Sequence, residues 1–279
     1  MEYGILVHDA SPLPADPRDV CASSWRAMLP PGQLRALYFG SEFCADLLPG
    51  RAAVRRYCAR ARSAGIEAVL LTPIATPAGL ARIQKLLAGF AQTGEAPAVV
   101  FNDWGVANLL RESFPHLERR AGRLINRGLR DPRLMDQVPD AETALEATGS
   151  DRGRRMRAHL VRFGVTALET DVDIEGSFLG DGSEGLQRVL YLPFAFAASS
   201  RNCLVKAEGA PTSDECFTKG LEIPCKGSCR GRRDRIERAD TRLPLWRAGN
   251  TIFFEVPQFR AGAMIQQADR IVLHGRPSP

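Results

Sequence analysis

Residues 51–74 read RAAVRRYCARARSAGIEAVLLTPI, and this stretch sets the fold prediction for the whole chain. Residues 51–64 predict a helix, and Gly65 stands where a glycine commonly ends a helix. Residues 66–74 form an apolar run that is typical of a strand buried in a parallel sheet. Because a helix followed by a buried strand is the repeating unit of α/β folds, this stretch predicts an α/β protein.

The same alternation runs along the rest of the chain. Strands are predicted at residues 3–8, 36–43, 66–74, 98–102, 120–126, 165–171, 190–198, 251–256 and 270–274. Helices are predicted at residues 16–29, 51–64, 78–91, 106–114, 151–163, 185–189 and 258–267. These nine candidates are close to the eight strands of a barrel, and their alternation with helices favours a (β/α)8 TIM-barrel-like fold, regular or irregular, over an open doubly wound sheet. Residues 1–279 are therefore predicted to form a single barrel domain.

Four of the seven cysteines lie within residues 203–229, at Cys203, Cys216, Cys225 and Cys229. The surrounding sequence is rich in glycine, lysine and arginine and poor in apolar residues, so it cannot form a hydrophobic core of its own. Residues 203–242 are accordingly predicted to be a long insertion loop rich in cysteine and arginine. Disulfides or a thiolate-bound metal could order this loop. The chain shows no secretory signal, which favours the metal.

Thiolates are soft ligands that suit either a structural zinc ion or an iron–sulfur cluster. Zinc sites more often show repeated Cys-x2-Cys pairs, whereas here only Cys225 and Cys229 are close in sequence. The dispersed spacing favours an iron–sulfur cluster, with zinc as the alternative and unligated thiols as a third reading. Cys21 and Cys58 lie in helix-like stretches with apolar neighbours and are predicted to be core residues.

Polar residues lie near the ends of several predicted strands, where the catalytic groups of a parallel barrel are found. Asp103, Arg123 and Glu169 are the candidate catalytic residues, and we expect them to face the same cavity as the cysteines. Two structural alternatives remain: Asp103 could cap the following helix, and Arg123 could pair with Glu169. No His-Glu-x-x-His or Gly-x-Ser-x-Gly motif is present, which argues against a conventional metallopeptidase or serine peptidase.

The net charge of +5 comes mainly from arginines, which are concentrated in residues 119–133, 152–162 and 230–242. Such runs are either solvated faces or surfaces that bind an anionic substrate or RNA. The N-terminal residues lack a basic start followed by a long apolar run, and no stretch is long and apolar enough for a membrane helix. The sequence therefore predicts a cytoplasmic protein with no membrane span.

Several stretches, in order along the chain, resemble a known family. They are YFGSEFC (38–44), FNDWGVANLL (101–110), AGRLINRGLRDPR (121–133), ALETD (167–171), YLPFAFAASSRNC (191–203), DEC (214–216) and CKGSC (225–229). The chain resembles the collagenase-like family of peptidases of unassigned catalytic type, and within it the UbiV-like members, which take part in oxygen-independent ubiquinone hydroxylation.

This resemblance implies a barrel that carries a four-iron four-sulfur cluster on Cys44, Cys203, Cys225 and Cys229. Cys216 departs from the family pattern and is a fifth candidate ligand. The implied function is oxygen-independent hydroxylation of a small aromatic substrate of the ubiquinone-precursor type, together with a related family member as partner subunit. The alternatives are a peptidase, an RNA-base hydroxylation protein, and a non-catalytic subunit with a structural cluster.

Overall fold

The structure is a computed structural model that describes residues 1–9, 11–90, 96–126, 128–137, 151–174, 185–208 and 213–277, without the side chains of residues 151, 152, 213, 216, 217 and 221. Its α-helices are α1 (Ser23–Met28), α2 (Arg51–Ser63), α3 (Pro77–Ala88), α4 (Trp104–Ser113), α5 (Arg123–Asn126), α6 (Pro132–Met135), α7 (Asp151–Arg162), α8 (Ser213–Glu222) and α9 (Gln258–Gln267). None of the helices in these ranges is long and apolar enough to cross a membrane.

Eight strands form a closed barrel, and every neighbouring pair in it is parallel. They are β1 (Glu2–Leu6), β2 (Gln33–Gly40), β3 (Glu67–Leu71), β4 (Ala98–Phe101), β5 (Arg119–Ala121), β6 (Ala167–Thr170), β7 (Gln187–Leu192) and β12 (Arg270–Leu273). Around the barrel the order is β1, β12, β7, β6, β5, β4, β3, β2. The predicted (β/α)8 TIM-barrel-like fold is confirmed.

Alternation along each barrel strand separates two layers of the core. Phe39 and Leu70 point outward and pack in one cluster with residues of the covering helices, such as Val54. Tyr38 and Val69 point inward and pack against residues of other barrel strands. The inner layer also contains buried charged groups, which lie near the candidate site described below.

Four strands lie outside the barrel in an antiparallel sheet of order β8, β11, β10, β9. They are β8 (Phe194–Ser199), β9 (Asp234–Ile236), β10 (Leu245–Ala248) and β11 (Thr251–Glu255). The strand predicted at 190–198 is thus two strands, divided at Pro193, because proline lacks the N–H needed to continue a ladder. The strand predicted at 251–256 exists but belongs to this second sheet.

Two further predictions of secondary structure were wrong. Residues 185–189 do not form a helix, because Gln187 already begins β7. The strand predicted at 120–126 ends at Ala121, and helix α5 follows it. The side chain of Asn102 favours a helix over a longer strand at this point. Its Oδ1 accepts a hydrogen bond of 3.0 Å from the Leu124 N–H and so holds the first turn of α5.

The segment 203–242 is not only a loop, since it contains a short 3-10 helix (Leu204–Ala207), α8 and β9. Helix α8 carries acidic residues in its first turn, and Lys219 lies 3.2 Å from Glu215 one turn earlier. Both features stabilise a helix. Strand β9 is held to β10 by an ion pair of 2.7 Å between Asp234 and Arg247, so local charge pairing orders parts of a segment that has few apolar residues.

Candidate functional site

The stretch YFGSEFC (38–44) connects the inside of the barrel with the cysteines. Strand β2 ends at Gly40, whose φ of +119° and close approach to the Leu71 carbonyl exclude a larger residue. Beyond this turn Glu42 is buried against Arg123, and Cys44 precedes a short 3-10 helix (Ala45–Leu47). One short segment therefore reaches both the buried charges of the barrel and the cysteines.

Cys44, Cys203, Cys225 and Cys229, hereafter the cysteine group, converge from separate parts of the chain. Cys203 and Cys229 are both 6% exposed and pack together against Leu47. A small cavity of about 230 Å³ is lined by Cys203, Cys225 and Cys229. Leu47 belongs to the short helix that follows Cys44. Cys44, the fourth cysteine of the group, therefore lies in the segment that follows barrel strand β2.

Burial and neighbouring thiols raise the pKa of two of the cysteines. Burial raises the pKa of Cys44 to about 11, and the neighbouring Cys225 adds to this shift. Burial also raises the pKa of Cys229, with smaller effects from Cys203 and Cys225. The structure thus places Cys203, Cys225 and Cys229 around one cavity and Cys44 at the start of the short helix that packs against them, while their role as metal ligands stays a prediction. The fifth candidate, Cys216, lies on α8, and its side chain is outside the described residues.

The donor set of the cysteine group fits an iron–sulfur cluster, in which each iron takes its own cysteine thiolate. The Gly227 N–H donates a hydrogen bond of 3.3 Å to the Cys225 sulfur, a contact that would stabilise a bound thiolate. Within the described ranges, no three His, Cys, Asp or Glu side chains form a group that could hold a metal ion. A zinc ion would need its sulfurs at about 2.3 Å from one centre.

Arg123 is completely buried and holds two carboxylates, which makes a buried ion cluster of Arg123, Glu42 and Asp171. Its Nε lies 3.0 Å from Glu42 Oε2, and its Nη1 lies 2.8 Å from Asp171 Oδ1. Burial by itself lowers the pKa of Arg123, but Asp171 and Glu42 outweigh it and raise the pKa. The alternative pairing of Arg123 with Glu169 is therefore wrong, because the nearer carboxylates of Glu42 and Asp171 occupy the guanidinium.

Aromatic rings and unpaired polar atoms surround this buried ion cluster. The Arg123 guanidinium lies 4.2 Å from the centre of the Tyr191 ring, and that of Arg130 lies 4.1 Å from the Phe196 ring. Among the described residues, four buried atoms of this region have no hydrogen bond of good geometry: Arg130 Nη1, Glu169 Oε2, Asp171 Oδ2 and Tyr191 Oη. Asp171 Oδ2 nevertheless lies 3.7 Å from Arg130 Nε, and the Tyr191 hydroxyl interacts with Glu169 and contributes to lowering the pKa of its carboxyl. Because unpaired buried polar groups are costly, these atoms mark a place where a ligand or ordered water would bind.

Glu169 lies on β6 inside the barrel and is the one predicted catalytic residue with a pKa near neutrality. Its Oε1 accepts a hydrogen bond of 3.3 Å from the Tyr38 hydroxyl, which in turn accepts one of 3.1 Å from Arg120. Burial raises the pKa of Glu169 to about 7, while Arg120 opposes the shift. A carboxyl with such a pKa can take up or release a proton at neutral pH.

Asp103 caps the start of helix α4, which is the structural role that the sequence offered as an alternative to catalysis for this residue. Its Oδ1 accepts a hydrogen bond of 2.7 Å from the Gly105 N–H. Among its described contacts none involves Arg123, Glu169 or a cysteine. Whether Asp103, Arg123 and Glu169 act in catalysis stays a prediction.

Three residues of the site were missed from the sequence: Glu42, Arg130 and Tyr191. Each lies in a stretch that carries the family resemblance, at 38–44, 121–133 and 191–203. Glu42 lies near the end of the strand predicted at 36–43, and proximity to a strand end is the signal used to select Asp103. Arg130 and Tyr191 carry no comparable local signal, because their roles depend on contacts made across the barrel.

No protein-family model matches the chain, and no curated protein matches it either. Among solved structures, that of a U32 peptidase aligns with 12% sequence identity and a TM-score of 0.44. The alignment covers 100% of this chain and 94% of the peptidase chain. A likeness at this level establishes neither the family nor the activity of this chain.

Proposed function

We propose that the chain binds one iron–sulfur cluster of the four-iron four-sulfur type through Cys44, Cys203, Cys225 and Cys229. Three of these thiols, Cys203, Cys225 and Cys229, line one cavity, and Leu47 of the short helix that follows Cys44 packs against Cys203 and Cys229; this arrangement supports the proposal. Cys216 stays the fifth candidate ligand, and zinc is the alternative metal. A bound cluster would supply one-electron transfer.

We further propose that the chain takes part in oxygen-independent hydroxylation of a small aromatic substrate of the ubiquinone-precursor type, with a related family member as partner subunit. The buried ion cluster supports this, since it lies beside the rings of Phe43 and Tyr191 and beside several unpaired polar atoms. Rings can stack on a flat substrate while the charged groups orient its polar substituents. Glu169 would hold or release a proton in the same barrel interior.

Anaerobic purification followed by iron, sulfide and zinc analysis tests the cluster. We expect iron and acid-labile sulfide in equal amounts, together with a broad visible absorbance. Cys225→Ser and Cys229→Ser should lose both, because each removes a ligand. Cys21→Ser is the matched control and should keep them, since Cys21 packs in a separate hydrophobic cluster. Stoichiometric zinc without iron, or full iron in the Cys225 and Cys229 variants, would contradict the proposal.

Activity assays on the same preparations distinguish the proposed function from two alternatives, a peptidase and an RNA-base hydroxylation protein. Peptide hydrolysis that survives loss of iron would favour the peptidase. Modification of an RNA base, with no activity on a free aromatic acid or phenol, would favour the RNA-base hydroxylation protein.

A further inference from the structure

A cavity with a volume of about 740 Å³ lies beyond the carboxyl ends of β1, β2 and β12. It is enclosed by helix α2, by the loop after β2 and by residues 229–233. Its lining includes seven arginines and only two aspartates. Cavities of roughly 300–1,000 Å³ at this face of a barrel are typical of small-molecule sites.

The acidic groups of this arginine cavity are already engaged elsewhere. Asp46 pairs with Lys206, which lies outside the lining, at 3.3 Å. Asp9 accepts a hydrogen bond of 2.9 Å from the Ser11 N–H. The Asp9 carboxylate stays charged, since the hydrogen bonds from Ser11 and the nearby Arg276 lower its pKa. Two carboxylates, one of which pairs with a lysine outside the lining, are nevertheless outnumbered by the seven arginines.

The arginines that line the cavity differ in their ion-pair and hydrogen-bond partners. Arg232 is paired with Glu208 and Asp234 and contributes little free charge. Arg60 and Arg82 donate to main-chain carbonyls, which fixes their direction without neutralising them. Arg56, Arg230 and Arg233 are exposed, and none forms an ion pair with a described residue. The cavity therefore keeps a strong excess of positive charge, partly on preoriented guanidinium groups.

We propose that the arginine cavity binds a small organic anion with at least two carboxylate or phosphate groups. Guanidinium groups bind both oxyanions in a bidentate manner, and several of them on different walls suit a ligand with separated negative groups. Leu47, Leu48, Pro49 and Tyr57 contribute an apolar part of the lining, which would contact the carbon skeleton of such a ligand.

The position of the cavity connects it with the cysteine group, because Cys229 lines both cavities. An anion bound here would lie beside the cysteines. Four of the lining arginines follow barrel strands or lie on their covering helices, whereas Arg230, Arg232 and Arg233 lie in the segment that we expect the cluster to order, so anion binding is measured on the reconstituted protein. Iron content and anion binding are measured separately on that protein, so a failure of one is distinguished from a failure of the other.

Isothermal titration with citrate and with pyrophosphate, at constant ionic strength, tests the site on the full chain. The two probes distinguish a carboxylate ligand from a phosphate ligand, and we expect saturable binding of at least one. Arg56→Gln combined with Arg233→Gln should weaken that binding by roughly tenfold or more, since each change removes a guanidinium from a different wall. Both side chains are exposed, so the folded state should be unaffected.

Arg55→Gln is the matched control. Arg55 is exposed on the same helix as Arg56 but does not line the cavity, so this variant should bind as the unchanged protein does. The proposal is overturned if neither probe binds more tightly than acetate, or if the Arg55 and the Arg56/Arg233 variants lose binding equally. Binding of a short RNA in preference to both probes, lost in the Arg56/Arg233 variant, would overturn it in favour of RNA.

Discussion

At the residue scale, the most consequential feature is a guanidinium that holds two carboxylates in the barrel interior. Arg123 is completely buried, as is Asp171, and Glu42 is 2% exposed. A buried ion pair contributes little net stability compared with apolar residues, but removal of one partner leaves the others charged and unpaired. The cost of removing Arg123 should therefore far exceed that of removing a surface arginine.

Arg123→Met should lower the free energy of unfolding by about 3–5 kcal/mol, because Glu42 and Asp171 would lose their shared cation. Urea denaturation followed by circular dichroism measures the change. Arg111→Met is the control, since Arg111 forms an exposed ion pair and should cost about 0–1 kcal/mol. Similar small losses for both variants would mean that the carboxylates are stabilised by other groups.

Glu169 predicts a specific dependence of stability on pH. Its pKa rises from the ordinary value of 4.5 to about 7 in the folded chain, chiefly through burial. Between these values the folded state keeps a proton that the unfolded state releases, so this group makes the free energy of unfolding fall as pH rises from about 4.5 to 7. The total loss is on the order of 3 kcal/mol.

Glu169→Gln removes this contribution, because the amide cannot ionise. The difference in the free energy of unfolding between the unchanged protein and Glu169→Gln should thus decrease with rising pH in that window and level off above it. His8 acts in the opposite direction, since burial lowers its pKa to about 4, but it affects both proteins equally and cancels in the difference. A difference independent of pH would show that Glu169 is ionised throughout.

At the element scale, Asp103 is tied to the start of helix α4. Asp103→Ala should cost about 1 kcal/mol in the free energy of unfolding, since the Gly105 N–H loses its acceptor. Asp103→Ser keeps a capping oxygen and should restore most of this loss. If Asp103 serves only as a cap, both variants keep the activity of the folded protein. An Asp103→Ser variant with native stability and no activity would instead favour the predicted catalytic role.

At the scale of the whole molecule, the barrel and the cysteine segment should respond differently to metal. The barrel strands are joined by hydrophobic clusters that contain none of the proposed ligands. Residues 206–238 offer few apolar side chains, while fixing each residue costs about 1–2 kcal/mol of backbone entropy. Structural thiolate sites supply roughly 10–16 kcal/mol in small zinc domains, and we expect a similar order for a cluster.

Limited proteolysis should therefore cut the metal-free protein between Lys206 and Arg238 and leave the barrel intact. The same segment should be protected after anaerobic reconstitution with iron and sulfide. Cys225→Ser should be cut under both conditions, which controls for effects of the reconstitution itself. Equal cleavage of the segment with and without metal, in the unchanged protein, would show that the cysteines do not order it.

The sequence by itself determined the barrel and the proximity of Cys203, Cys225 and Cys229, because both depend on local patterns. The period of apolar residues distinguishes strands from helices, and a parallel barrel then places every strand end at one face. Tertiary structure alone decided that Arg123 pairs with Glu42 and Asp171, which lie 81 and 48 positions away along the chain. It also decided that β11 leaves the barrel and that arginines from distant segments surround one cavity. Such contacts depend on the register and closure of the barrel, and no local pattern of residues encodes which side chains then meet.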